Sequence, residues 1–172
     1  MVNNMDVLQA IKARRSVRRY KPDPIPEDML LKVLEAARLA PSAGNRQPWK
    51  FIVIRDEKRI ELARAANNQG FVGEAPVVIT VLGDPNASRW YKQDPMIATE
   101  HVCLEATELG LGTCWVGAFN EQEVKRILKI PEELSVICLI PLGYPSENPQ
   151  SRDRKKLGEL FFKEEYGQPY SK

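Results

Sequence analysis

Apolar residues recur at helical spacing in five stretches of the chain and in strand-like runs in four others. Residues 5 to 14 place Val7, Leu8 and Ile11 on one side of a first helix. A stronger pattern over about 27 to 40, EDMLLKVLEAARLA, sets Leu30, Val33, Leu34 and Ala37 on one face behind two first-turn acids. The segment between them, RSVRRYKPDPIP, cannot be helical throughout: Pro22, Pro24 and Pro26 lack donors and push their predecessors toward extended geometry. PSAGNRQP reads as an eight-residue loop, and WKFIVIR (49 to 55), rich in β-branched and aromatic residues, as a buried strand. A short helix then starts at Asp56 as its N-cap, NNQGFVGEA reads as a loop, and PVVITVLG (76 to 83) as the second strand. Beyond the polar loop DPNASRWYKQD, residues 95 to 110 predict a largely apolar helix with Pro95 near its start and Gly110 at its C-cap. GTCWVGAF is the expected third strand and its exit. NEQEVKRILKI is a helix opened by the capping box Asn120 to Glu123, and LSVICLIPLGY is the fourth strand.

Two helices, then strands interleaved with helices, indicate a layered α/β or α+β domain, and no period of 20 to 50 residues points to repeats. The 172 residues suit one domain spanning 1 to 172. Four strands make a small sheet for so many helices to cover on both sides. The tail from 145 to 172 has little periodicity and no core of its own, so a partner subunit is its expected docking place. The longest apolar run, LSVICLIPLG, is far short of the roughly 20 residues that span a bilayer. The start lacks the apolar core and small-residue cleavage site of a secretory signal, so a cytoplasmic location without membrane association is expected. Cys103, Cys114 and Cys138 are odd in number and widely spaced. They predict buried, reduced thiols rather than a disulfide framework or a thiolate metal site.

Charge sharpens the picture. The chain carries 25 basic and 23 acidic residues, and six of the basic ones lie in KARRSVRRYK, residues 12 to 21. Without that stretch the balance is 19 basic against 23 acidic. A nucleic-acid-binding surface is basic over a whole face. Positive charge concentrated on a slightly acidic remainder suits a small anion instead, and SRDRKK at 151 to 156 is the one comparable second cluster. If residues 14 to 20 are extended, Arg14, Ser16, Arg18 and Tyr20 point one way, and Arg15, Val17 and Arg19 the other. The first face then presents guanidinium, hydroxyl and guanidinium in series, a receptor for a phosphate monoester.

Familiar catalytic signatures are missing. Gly110 and Gly112 are followed by Trp115 where a dinucleotide fingerprint needs glycine, and they end a helix rather than open one. There is no P-loop and no nucleophile elbow. The one histidine, His101, lies mid-helix beside Val102, Cys103 and Leu104, the setting of a satisfied core or interface histidine.

RRSVRRY (14 to 20), APSAGNRQPWKFIVI (40 to 54), the apolar helix leading into LGLGTCWVGAF (109 to 119), and PLGYP followed by a basic tail occur in the order found in the flavin-dependent nitroreductase family. The chain resembles that family over nearly its whole length. The resemblance implies an α+β nitroreductase-like fold with a mainly antiparallel central sheet flanked by helices, an intertwined homodimer, and FMN at the subunit interface. It implies that Arg14, Arg15, Ser16 and Arg18 hold the ribityl phosphate and the pyrimidine edge. Pro41, Ser42, Ala43 and Asn45 would reach the flavin from the other subunit, and Val116 and Gly117 would bring backbone N–H groups near the N5 edge. Arg152 or Arg154 would close on the phosphate, and Asn67 would set an amide against the flavin edge. Implied too is ping-pong transfer of hydride from NADH or NADPH through N5 to a nitroaromatic, quinone or similar acceptor. In such chemistry no side chain need act as acid or base, so none is nominated as catalytic. Trp90 and Tyr91 lie where family members often carry a lid. The alternatives are a non-enzymatic FMN-binding or redox-sensing protein, or a flavin-cleaving or dehalogenating relative. The long insertion that dehalogenating relatives carry between the first two strands is absent, and Gly70 stands where some members have a lysine.

Overall fold

The computed structural model describes residues 5 to 170. Its sheet has four strands in the order β1-β2-β4-β3: β1 (Trp49–Ile54), β2 (Val77–Gly83), β3 (Gly112–Thr113) and β4 (Ser135–Gly143). All three pairings are antiparallel, in keeping with the expected α+β class. β2 is buried at every position, because it is central and helices cover both faces of the sheet.

Strand alternation sorts the apolar residues into two cores. Val77, Ile79 and Val81 of β2, with Ile140 and Leu142 of β4, face α2 (Glu27–Arg38) and α5 (Asp94–Glu108) through Leu30, Val33, Ala98 and Val102. On the reverse face, Val78 and Leu82 with Leu139 meet α3 (Lys58–Ala65), α4 (Gly70–Glu74) and α6 (Glu121–Leu128) through Leu62, Val72 and Val124. Among the described residues no helix is long and apolar enough to cross a membrane.

Several elements depart from expectation for identifiable reasons. α1 (Val7–Ala13) turns Ala10 inward, while Val7, Leu8 and Ile11 face solvent, so its apolar side does not join the core of its own chain. WKFIVIR is an edge strand and only partly covered, with Ile54 alone buried. NNQGFVGEA contains α4, a single turn and a half that seats Val72 between α3 and the sheet. GTCWVGAF pairs continuously only at Gly112 and Thr113, and Val116 makes an isolated bridge to Leu139. The capping box of α6 is half-built: Asn120 accepts the Glu123 N–H (3.1 Å). Its own N–H already donates to the Ala65 carbonyl (2.8 Å), leaving the Glu123 carboxylate to pair with Arg126. In the tail, α7 (Leu157–Leu160) and a bridge between Phe162 and Pro169 are the regular features, both mostly exposed.

Candidate functional site

Two glycines prepare the seat for the basic ribbon. Gly112 of β3 stands opposite Gly143 of β4. A Cβ on Gly112 would lie 2.7 Å from a Val17 methyl, and one on Gly143 would lie 2.5 Å from Pro76 Cδ and 3.1 Å from a ring carbon of Tyr20. Real side chains do not approach as closely as Val17 and Pro76 would, and the Tyr20 contact would be tight, so Val17 and Tyr20 settle where these strands carry no side chain, and both are buried. The Val17 N–H donates to the Thr113 carbonyl (2.9 Å), and Ser16 bridges Thr113 in parallel. Tyr20 donates its hydroxyl to the Val17 carbonyl (2.6 Å), and burial pushes its pKa well up, keeping the phenol protonated. Strict alternation therefore fails at Tyr20, which points inward with Val17 instead of outward with Arg18. The phenol folds back three residues to satisfy a carbonyl that strand pairing leaves free.

Seated this way, the ribbon lines a cavity of about 160 Å³. Arg14, Arg15, Ser16 and Arg18 form one wall, and Pro149, Gln150, Arg152 and Arg154 the other. Both predicted basic clusters thus meet, and no carboxylate is among the lining residues. Helix α1 ends at Ala13, so Arg14 is already extended and its side chain turns to the cavity. Arg15 also caps that helix end, donating to the Lys12 (2.6 Å) and Arg14 (2.7 Å) carbonyls. Arg14 Nε lies 3.5 Å from Glu100 Oε1 on α5, which orients the guanidinium from behind. The volume suits a headgroup rather than a whole cofactor, since sites for drug-sized ligands run to roughly 300–1,000 Å³. Five guanidinium groups in so small a space are attractive only to a multivalent anion, each charge-assisted bond contributing roughly 1.5–3 kcal/mol.

The remaining sequence-predicted residues lie elsewhere. Pro41, Ser42, Ala43 and Asn45 occupy a tight loop with a 3₁₀ turn at Ala43–Asn45 and positive φ at Gly44, Asn45 and Gln47. The loop is tied internally by the Gln47 N–H to Ser42 Oγ (2.9 Å), and none of the four lines the arginine cavity. Ala43 donates its N–H to the carboxylate of Asp94 (3.2 Å), a buried acid in the first turn of α5. Sequence reasoning passed over Asp94. Its only signal was an acid directly before Pro95, indistinguishable from an ordinary first-turn charge. Asn67 sits with Asn68 on two consecutive left-handed residues after α3, in a groove of about 430 Å³ that Asn120 and Arg126 also line. Nearby, Gln69 donates its side-chain amide to the Ala118 carbonyl (3.2 Å), linking this turn to the strand exit.

Val116 corrects one expectation. Its N–H already donates to Leu139 (3.0 Å) and its carbonyl accepts from the same residue, so its amide is not free for a ligand. Gly117, next along, is exposed. His101 Nδ1 is 3.2 Å from the Ala36 carbonyl, a contact between α2 and α5. Trp90 is 40% exposed with the Arg89 guanidinium 5.0 Å from its ring centroid, and Lys92 stands 5.5 Å from that of Tyr91. All three cysteines are free and buried.

Comparison with known proteins agrees with this architecture. The model of the nitroreductase family matches residues 11–69 and 60–144. A provisionally named NADH dehydrogenase/NAD(P)H nitroreductase from Methanothermobacter thermautotrophicus is 40% identical over 160 residues, covering 88% of this chain and 84% of its own length. An NADH dehydrogenase from Thermus thermophilus is 31% identical, covering 83% of this chain and 88% of its own. Among solved structures, an FMN-dependent nitroreductase from Clostridium difficile superposes with a TM-score of 0.80 at 32% identity, over 85% of this chain and 91% of that one. A family match over most of the chain, with relatives at 31–40% identity along nearly their whole length, shows that the chain belongs to the nitroreductase family.

Proposed function

We propose that this protein is an FMN-dependent oxidoreductase that draws hydride from NADH or NADPH and delivers it to a small acceptor such as a nitroaromatic or quinone. The observation that carries the reading is the arginine cavity: five guanidinium groups and a serine hydroxyl around a headgroup-sized space with no lining acid. That donor set fits a phosphate monoester, and a relative of the same fold is named as FMN-dependent. Arg14, Arg15, Ser16, Arg152 and Arg154 would hold the phosphate. Arg18, which lines the same cavity, would share in holding the phosphate or the pyrimidine edge. Bound FMN supplies hydride exchange at N5, from the nicotinamide donor to the acceptor in ping-pong order.

The residues present supply position and field rather than proton transfer. Exposed Gly117 would offer main chain unencumbered by a side chain to the flavin edge, and the arginines favour negative charge on whatever they hold. The loop Pro41–Asn45 does not reach the cavity of its own chain, which supports its supply by a partner in a homodimer. Exposed apolar residues on α1 and α7 support the same assembly.

The absorption spectrum of the purified protein tests the reading directly. A flavin band that bleaches on adding NADH or NADPH, and returns with a quinone or nitroaromatic, is expected. A colourless protein that takes up no added FMN defeats the proposal, and bleaching without turnover leaves a redox-sensing flavoprotein in its place. Arg14→Ala or Arg18→Ala should each weaken FMN retention at least about tenfold, since one charge-assisted bond exceeds ~1.4 kcal/mol. Unchanged flavin content after exhaustive dialysis would overturn the assignment of these arginines.

A further inference from the structure

The arginine cavity has two walls from opposite ends of the chain, and what holds them in register is a short antiparallel ladder. The Lys21 N–H donates to the Tyr144 carbonyl (2.8 Å), Tyr20 bridges Pro145, and the Ser146 N–H donates to the Arg19 carbonyl (3.0 Å). Continuing the register sets Arg18 opposite Glu147. In the antiparallel pattern that step is a non-hydrogen-bonded pair, at which the Arg18 N–H points away from the facing main chain. The Arg18 N–H donates instead to the Glu147 carboxylate, Oε1 at 2.5 Å. The side chain holds a main-chain donor that the ladder itself does not reach, and beyond Glu147 the chain carries Pro149, Gln150, Arg152 and Arg154 over the cavity.

We infer that Glu147 is a positioning residue of the proposed FMN site, its carboxylate fastening the C-terminal wall of the anion cavity to the Arg18 main chain. The inference rests on the FMN reading for its consequence, and on the Arg18–Glu147 hydrogen bond for its cause. The charge itself argues the other way. A carboxylate this close to a phosphate-binding cavity repels the ligand, and removing it should tighten binding if its charge were all that mattered. A tether predicts the opposite sign. Without it the tail has only a two-bond ladder, and the ordering of Arg152 and Arg154 must then come from the ligand's own binding energy. Pro145 and Pro149, which cannot donate, leave few other main-chain groups in 145–149 to replace the bond.

Glutamine separates the two effects, because it keeps an acceptor oxygen at the same reach and removes the charge. FMN affinity is measured by quenching of flavin fluorescence on dialysed protein for the wild type, Glu147→Gln and Glu147→Ala. In parallel, hydrogen exchange at the Arg18 amide is followed without flavin. The tether predicts Glu147→Ala about tenfold weaker for FMN and Glu147→Gln within about twofold of wild type. Arg18 exchange should be accelerated in the alanine variant only. Unchanged or tighter FMN binding by Glu147→Ala, or equal weakening by both variants, overturns the inference. Should the wild type bind no FMN, the functional reading falls, and the exchange data alone decide the tether: faster exchange confined to alanine upholds it, and equal exchange overturns it.

Discussion

At the scale of single residues, the site depends on atoms that are missing as much as on those present. The ribbon's six cations are conspicuous in the sequence, but what lets three of them, Arg14, Arg15 and Arg18, line a cavity is the bare Cα of Gly112, which admits Val17. Gly112→Ala would place a methyl 2.7 Å from the Val17 side chain in a packed seat. Overpacking of that kind costs typically about 1–3 kcal/mol, and in a chain of this size each kcal/mol lowers the melting temperature by roughly 2–4 °C. Gly117 offers the contrast: nothing lies within 4 Å of its Cβ direction and its φ is not positive. Thermal unfolding of the two alanine variants should therefore show a drop of several degrees for Gly112 and a change within about 0.5 kcal/mol for Gly117. Equal melting temperatures would remove the seat from the account.

At the scale of elements, what could be read in advance was what local pattern controls. PVVITVLG and LSVICLIPLGY announce themselves because central strands are apolar on both faces, and α2 and α5 because their core residues repeat at helical spacing. Less legible were features set by distant partners. Val116 reads as strand, yet its only strand-like bonds are to Leu139. α4 hides behind two glycines in a single short turn. Tyr20 leaves its predicted face because Gly143, more than a hundred residues away, opens a place for it. The arginine, serine and tail positions of the candidate site were visible as motifs. Glu147 and Asp94 were not, since an acid serving a backbone N–H looks like any other acid. The seams between these elements also carry buried protons. Desolvation pushes Cys103 of α5 and Cys138 of β4 each up to about 12 from an ordinary 9.0, and raises Tyr20 further still. A folded-state pKa above the unfolded one gives stability that is whole below pH 9 and lost as pH climbs toward 12, because the unfolded thiols ionise first. Urea unfolding should accordingly show a lower midpoint at pH 10.5 than at pH 8, and equal midpoints would mean the α5–sheet seam does not hold these thiols protonated.

At the scale of the whole molecule, one chain leaves an apolar helix side unused. Val7, Leu8 and Ile11 on α1 and Leu157, Leu160 and Phe161 in the tail all face solvent. Each such side chain contributes roughly 1.5–3 kcal/mol when fully buried, so covering them together is a strong drive to associate. The proposed homodimer answers this and also the separation of the Pro41–Asn45 loop from the arginine cavity, because a second copy can bring its loop to the first copy's anion site. Burial at α1 and completion of the flavin site are then one event, and they should fail together. Sedimentation should give the wild type twice the 19.5 kDa chain mass. The double variant Leu8→Lys/Ile11→Lys, which sets two charges on the exposed side and leaves the inward Ala10 untouched, should sediment as a monomer. Its circular dichroism should stay native, while its FMN content after gel filtration falls at least about tenfold through loss of the partner's loop. A monomeric variant that retains FMN would show that each chain holds the cofactor alone. A wild type that is itself monomeric would require another reason for the apolar side of α1.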